Sequence, residues 1–436
     1  MLAHAQGPVL EGYVQEGLKS NLQLKQEQMS YERSVENLNQ ARALFFPLVQ
    51  ANASYSLADG GRKIEFPVGD LLNPVYSTLN QFTGTGAFPQ VENVSIQFLP
   101  NNFHDTKLRV VQPLFNPDIY FNYKAQKELI SVQAAQKNTY ENELKYNITS
   151  AYYQYVQAHE AVGVLGKTRL LTQELVKLNT SLVQNEKATH DVQLNAEYEL
   201  TKIDYQISDA QKNEDVVRSY FNFLLNKDLS APIVIDTTMA AALSTQYPLD
   251  SLKQAALMNR AEIKQIEGGL HAGEQSIGLA KGNALLPKLN LVGDVGYQGY
   301  QYKFDSDQRY WLVQFNLTWD LFRGGERRSK TQQAKIDYQI TENKMEQLKK
   351  QIELQVIQAY RTREAAQHSY VAAHSGVRNA TRSFQIINTK YKAGQVILLE
   401  YLDAQNKMTT AKLTETLSTY ELLRAEAMLR KTIANL

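Results

Sequence analysis

The chain has 436 residues, with 46 Lys and Arg against 45 Asp and Glu, and a formal net charge of +1, which argues against a dedicated nucleic-acid binder with its strongly basic face. It contains no cysteine, which excludes disulfide scaffolds, thiolate metal sites and cysteine nucleophiles, and a lipid anchor on an N-terminal cysteine is not expected. No stretch approaches the ~20 apolar residues of a membrane helix, so at first sight this is a large, soluble, α-rich protein.

At the amino terminus Ala3-His4-Ala5 fits the small-x-small pattern that closes a secretory signal, so Gln6 is expected to be the first mature residue and the protein to leave the cytoplasm. A helical stretch then runs to Ala43-Leu44-Phe45-Phe46 and is stopped by Pro47. Beyond it Val49, Ala51, Ala53, Tyr55 and Leu57 alternate with Gln50, Asn52, Ser54 and Ser56, the period-2 signature of a strand with one apolar and one polar face. Ala58 to Asn102, with Gly60-Gly61, Gly84, Gly86, Pro67, Pro74 and Pro89, holds no convincing periodicity and is expected to be a long surface loop. A second strand ends at Leu114-Phe115, with Leu108 and Val110 opposite Lys107 and Arg109.

From Asn116 to about Asn185 the pattern is helical, breaks at Lys187-Ala188-Thr189-His190-Asp191, and returns as a shorter helix closing on Tyr220-Phe221-Asn222-Phe223-Leu224-Leu225-Asn226. Ala231-Pro232 to Asp236 reads as a short strand or extended linker, and helical sequence resumes at Asp250. Ala284-Leu285-Leu286 is stopped by Pro287, and Leu289, Leu291, Val295 and Tyr297 then oppose Asn290, Asp294 and Gln298. After a turn at Asp305 to Gln308, apolar positions from Trp311 through Val313, Phe315, Leu317 and Trp319 to Leu321 alternate with Gln314, Asn316, Thr318 and Asp320. Gly325 to about Lys392 is a second long helix, with a heptad seam of Ala334, Tyr338, Met345, Leu348, Ile352 and Ala359, and Lys392-Ala393-Gly394-Gln395 breaks it before the last helix. Helices of about 65 to 70 residues extend ~100 Å at ~1.5 Å per residue, which suits a coiled-coil wall rather than a compact domain.

The order strand, strand, long helix, helix occurs twice. Pro47 and Pro287 are 240 positions apart whereas Leu114 and Leu321 are 207 apart, so the first copy carries 33 more residues, all between its two strands. We expect repeats at residues 6–236 and 237–436 that together build one unit. The strands have the ~10-residue length of tilted membrane strands, and Phe45, Phe46, Phe115, Trp311, Trp319 and Phe322 lie near their ends, as in an interfacial girdle. Four strands cannot close a barrel, which needs about eight, and an open edge in lipid costs several kcal/mol for each unpaired group. Membrane strands here therefore require several copies: two would give eight strands, three twelve.

Over its whole length the sequence resembles the TolC-like outer-membrane efflux protein family, the outer-membrane factors of tripartite exporters. The resemblance rests on both repeats, Leu321-Phe322-Arg323-Gly324-Gly325, the Tyr220 to Asn226 stretch, Asp191-Val192 and Leu402-Asp403-Ala404. It implies a mostly α, α+β fold: a homotrimer with a twelve-stranded outer-membrane β-barrel, four strands per chain, and a long α-helical coiled-coil periplasmic tunnel. It further implies a periplasmic adaptor protein and an inner-membrane pump as partners, and passive export with no enzyme activity. By the same resemblance Glu400 and Asp403, three apart on one helix face, match the acidic pore constriction; acids in a first helical turn also simply complement its dipole. Asp191 and Tyr391 match a tip latch, with Val396 where the usual pattern has a basic residue, which implies a closed tip with few ionic restraints. Ala188, Thr189, Ala393 and Gly394 fall at the adaptor-contacting hairpin tips.

The basic run Arg323, Arg327, Arg328 and Lys330 opens a helix after a strand end and reads as a solvated or headgroup-facing rim, not a nucleic-acid site. His368 and His374 lack metal-ligand spacing, and no phosphate loop, nucleophile elbow or HExxH occurs, so neither cofactor nor metal is expected. The alternative from another class is a soluble periplasmic coiled-coil scaffold or adaptor whose sheets pack internally.

Overall fold

The computed structural model describes residues 7–236 and 248–434; the secretory-signal reading of Ala3-His4-Ala5 and Gln6 lies outside them. The elements in order are α1 (Pro8–Ser20), α2 (Leu22–Ala43), β1 (Leu48–Ser56), β2 (Lys63–Phe66), α3 (Val68–Thr83), β3 (Val94–Gln97), β4 (Phe103–Phe115), α4 (Pro117–Gln184) and α5 (His190–Leu224). They continue with α6 (Leu249–Asn259), α7 (Ala261–Leu285), β5 (Lys288–Tyr300), β6 (Arg309–Thr318), α8 (Glu326–Lys392) and α9 (Leu398–Thr432). The chain divides into a helical unit (7–37, 125–274 and 335–434 among the described residues) and a sheet unit (38–124 and 275–334).

In the sheet unit, β1, β4, β5 and β6 form an antiparallel sheet in that order, leaving β1 and β6 as its edges. Register sorts the side chains into two faces. Ala51 pairs Leu108, Leu108 pairs Val295 and Val295 pairs Trp311, an apolar row across all four strands; one step along, Gln50, Arg109 and Asp294 make a polar row. The apolar row is not covered by the chain itself: Trp311 is 77% exposed, and Val313, Phe315 and Leu317 are exposed beside it. Phe45, Phe46, Phe115, Trp319 and Phe322 are all exposed around the sheet end where β4 and β6 finish, and Trp311 lies toward the other end. The β4–β5 register shifts between Pro113 and Phe115, where Pro113 has no N–H to donate.

The Ala58 to Asn102 stretch is not a structureless loop. β2 and β3 pair antiparallel and flank α3, which runs through Pro74. Four-residue strands are too short to display a period, and the apolar spacing Leu71, Val75, Leu79, Phe82 of α3 is hard to pick out between the glycines and prolines that flank and enter it. Asn73 and Asn80 replace long-range packing there: each side chain exchanges two hydrogen bonds with a backbone group, Val91 (2.8 and 3.0 Å) and Phe88 (2.7 and 3.0 Å).

In the helical unit, α4 and α8 have 68 and 67 residues, and α5 and α9 have 35 each. Seam positions Met345, Ile352 and Ala359 are buried, packed with Leu252, Ile263 and Leu429 from α6, α7 and α9. A second cluster joins α1, α4, α5 and α9 through Leu10, Ile148, Tyr152, Phe221 and Leu423. The Tyr220 to Asn226 stretch is structural: the buried Asn222 amide donates to Leu229 O and Ala231 O, at 3.2 and 2.9 Å, folding the chain back after α5. Residues 231–236 are extended without ladder pairing, held where Tyr152 Oη accepts from Asp236 N at 2.8 Å and donates to Val234 O at 3.2 Å.

Candidate functional site: hairpin tips and the polar sheet face

Both hairpin tips are built by the same helix ending. At the first, Glu186 adopts φ +58° and the N–H groups of Glu186 and Lys187 donate to Val183 O and Leu182 O, at 2.9 and 2.8 Å. At the second, Gly394 adopts φ +70° and Gly394 and Gln395 donate to Tyr391 O and Lys390 O, at 3.0 and 2.9 Å. These are Schellman closures, which satisfy the last helix carbonyls through one left-handed residue. The two left-handed residues are 208 apart, as are the starts of α5 at His190 and α9 at Leu398. The first tip thus turns at a glutamate rather than at Ala188, which follows it with Thr189 in the link to α5.

Glu400 and Asp403 sit one turn apart on the exposed side of α9, near its start. Glu400 makes no ion pair among the described residues, whereas Asp403 accepts from Lys407 Nζ at 2.7 Å. The pair is therefore electrostatically unequal: one carboxylate is bare and the other is partly answered. Asp191 is exposed in the first turn of α5, also without an ion-pair partner among the described residues. The structure does not bring it to Tyr391. Tyr391 is 8% exposed, and its hydroxyl donates to Asn179 Oδ1 at 2.7 Å, bridging α8 to α4. Its ring packs at 5.0 Å from that of Tyr401, in a cluster with Leu175, Ala196, Phe384 and Met408. Burial pushes the Tyr391 phenol up despite the bond to Asn179, and pushes Tyr401 up to about 12, so both stay neutral and Tyr391 keeps its proton to donate. Ala393 and Gly394 are exposed at the second tip.

Asn179 begins a polar ladder along α4. Four and seven residues are the steps from Thr168 to Thr172 and on to Asn179, which puts all three on one helix face. Thr172 Oγ1 accepts from Gln405 Nε2 at 2.6 Å, and the Thr168 and Thr409 hydroxyls lie 3.0 Å apart. These residues are buried, so α4 meets α8 and α9 near the tips through hydrogen bonds as well as apolar packing. Sequence reasoning missed the ladder because its partners lie more than 200 positions apart.

The polar sheet face carries a charged cluster. Arg109 Nε and Nη2 donate to both oxygens of Asp294, at 2.8 and 2.7 Å, and the Asp294 side chain is 2% exposed. Lys107 pairs with Asp105, which also accepts from the Tyr310 hydroxyl at 2.9 Å. Tyr310 belongs to β6 and Asp105 to β4, and the reach over β5 passes Gly296, where a Cβ would come within 2.2 Å of Thr106 O. The period-2 pattern gave these charges to one face, but which charge meets which is a matter of register.

Three of the four residues of the basic run, Arg323, Arg327 and Lys330, make local contacts. Arg323 meets Asp320 at 2.7 Å, Lys330 meets Glu326 at 2.6 Å and Arg327 donates to Ala284 O at 3.0 Å, which ties the start of α8 to the end of α7. His374 meets Glu415 at 2.7 Å, and no trio of His, Asp or Glu among the described residues could hold a metal ion.

The outer membrane efflux protein family model matches residues 252–435. No curated protein matches the chain in sequence. Among solved structures, the outer-membrane channel OprN superposes with a TM-score of 0.79 at 18% identity, covering 99% of this chain and 91% of that one. The Campylobacter jejuni CmeC outer membrane channel gives 0.76 at 16%, covering 98% and 86%, and the open state of the Neisseria gonorrhoeae MtrE outer membrane channel gives 0.75 at 18%, covering 98% and 89%. At these identities the structures establish a shared fold, mostly α with four β-barrel strands per chain and long coiled-coil helices; family and neighbours are channels and efflux proteins, not enzymes. The family match thus covers residues 252–435, within the second repeat, and the fold shared with solved outer-membrane channels runs over nearly the whole length of the chain.

Proposed function

We propose that this protein is the passive exit duct of a tripartite efflux or secretion system, a homotrimer that takes substrates from an inner-membrane pump through a periplasmic adaptor and across the outer membrane. One observation carries the reading: a four-stranded sheet with an uncovered apolar face, a charged polar face and two unpaired edges. In lipid those edges must be closed by other copies. Two copies make an eight-stranded barrel, whose interior side chains fill. Three make twelve strands, wide enough for the Arg109 and Asp294 row to line water, and so favour a duct. The same uncovered face speaks against a soluble scaffold with internally packed sheets.

Within the duct, Glu400 and Asp403 form the pore constriction, with Glu400 the stronger contributor because Lys407 answers Asp403. Tyr391 latches the tip through Asn179 rather than through ions, and Asp191 stays available to a neighbouring chain. Ala188, Thr189, Ala393 and Gly394 contact the adaptor. Each repeat, 6–236 and 237–436, supplies two strands and one hairpin. Detergent extraction from the outer-membrane fraction followed by planar-bilayer recording tests the reading: discrete channels support it, and a protein recovered as a soluble periplasmic monomer overturns it.

A further inference from the structure

The 57–102 excursion leaves β1, an edge strand, and returns on β4, its neighbour in the sheet. It is built on a fixed base: Ala58 N donates to Asn101 Oδ1 at 3.1 Å, Gln97 Nε2 donates to Ala58 O at 3.2 Å, and Tyr55 bonds Asn102. Asn73 and Asn80 hold one side of α3 against 88–91, as described above. On the other side Leu71, Val75, Leu79 and Phe82 follow spacings of four, four and three and are all exposed, Phe82 by 85%. The β2–β3 hairpin adds the cross-strand pairs Ile64–Ile96 and Phe66–Val94, likewise exposed on one face. An ordered segment with a continuous apolar stripe is an interaction surface rather than a solvent-facing loop.

Two observations choose the occupant. The segment from Pro67 to Gln90 carries a single side chain charged at neutral pH, Asp70, and no Lys or Arg. A helix lying on an anionic lipid surface carries basic residues on its polar face, and α3 has none. The excursion also springs from β1, whose free edge is where another copy's β6 has to pair if the sheet is to close, so the nearest protein surface at its root belongs to another copy. We propose that the apolar stripe of α3 packs against the excursion of a neighbouring copy of this chain, joining the copies beyond the strand ends. This rests on the oligomeric barrel proposed above.

The test places the photo-crosslinking residue p-benzoylphenylalanine at Val75 or Leu79, and at Ser77 on the opposite side of α3 as control, in the full-length protein extracted from outer membranes. Native mass measurement of each variant is made first. An oligomer in which Val75 and Leu79 yield covalent chain-to-chain dimers, with most of that yield lost at Ser77, is the expected result. An oligomer in which Val75 and Leu79 crosslink to lipopolysaccharide, or to nothing, overturns the stripe interface and leaves the duct reading standing. A monomer overturns both.

Discussion

Tyr391→Phe isolates the tip latch, because it removes one oxygen and keeps the ring that packs on Tyr401. Asn179 is fully buried, and once Tyr391 is gone its Oδ1 has no donor, while its amide keeps only a 3.4 Å contact to Val192 O. Leaving a buried acceptor unsatisfied costs about 1–3 kcal/mol. If this bond exists only while the tip is closed, that cost shifts the closed-to-open equilibrium of each hairpin pair by about 5- to 150-fold. The assay is the open fraction in planar-bilayer recordings, with a thermal melt of the same preparation. Tyr391→Phe combined with Asn179→Leu removes both polar partners and should recover most of the stability, since replacing both partners with apolar groups is nearly neutral. An open fraction unchanged in Tyr391→Phe while the melt falls would show that the bond stabilises the bundle without holding the gate.

At the constriction, Glu400→Gln should reduce cation selectivity, read as a reversal potential, more than Asp403→Asn does, and Lys407→Ala should increase it by baring Asp403. On the sheet face, Arg109→Ala strands the buried Asp294 carboxylate and should cost about 3–5 kcal/mol, seen as a lower temperature for oligomer dissociation on gels; Arg109→Leu with Asp294→Leu should be milder. At the tips, Gly394→Ala forces a side chain to φ +70° and should cost about 1–2 kcal/mol, while Glu186→Gly should stabilise by a similar or smaller amount, both measured by local hydrogen exchange. Near the start of α7, burial pushes the Glu262 carboxyl up, but bonds from Arg260 and the backbone outweigh it and hold the group below the ordinary glutamate range. Its contribution is therefore complete at neutral pH and fades as pH falls through the folded-state value, so Glu262→Gln should flatten the acid limb of the stability profile.

Much of this fold can be read from residue patterns. The alternation from Val49 to Leu57 and from Trp311 to Leu321 contains both strands and their apolar faces, and the heptads from Ala334 to Ala359 contain the seam that buries Met345 and Ile352. Local signals announce local structure, and the two repeats announce each other. The Lys407 answer to Asp403 was also within reach, since oppositely charged residues four apart on a helix pair regularly. What stayed hidden is non-local or conformational. Tyr391 finds Asn179 across 212 positions, and Arg109 finds Asp294 across 185, and no period encodes either. Glu186 turns the first tip although glycine is the residue expected there, because the Schellman bonds hold it in place. The excursion was concealed because its strands are short and its one helical repeat, Leu71 to Phe82, sits among turn residues, while two asparagines tie it together through bonds that no period encodes.

A barrel shared between copies requires other copies to close the sheet along β1 and β6. Because the chain has no cysteine, one cysteine on β1, at Ala53, combined with one scanned along β6 from Trp311 to Leu317 reports that closure without background. At the register where the edges meet, mild oxidation should give a covalent ring of three chains, seen without reductant and reversed by it. Disulfides confined to single chains, or none at any register, would contradict a barrel shared between copies.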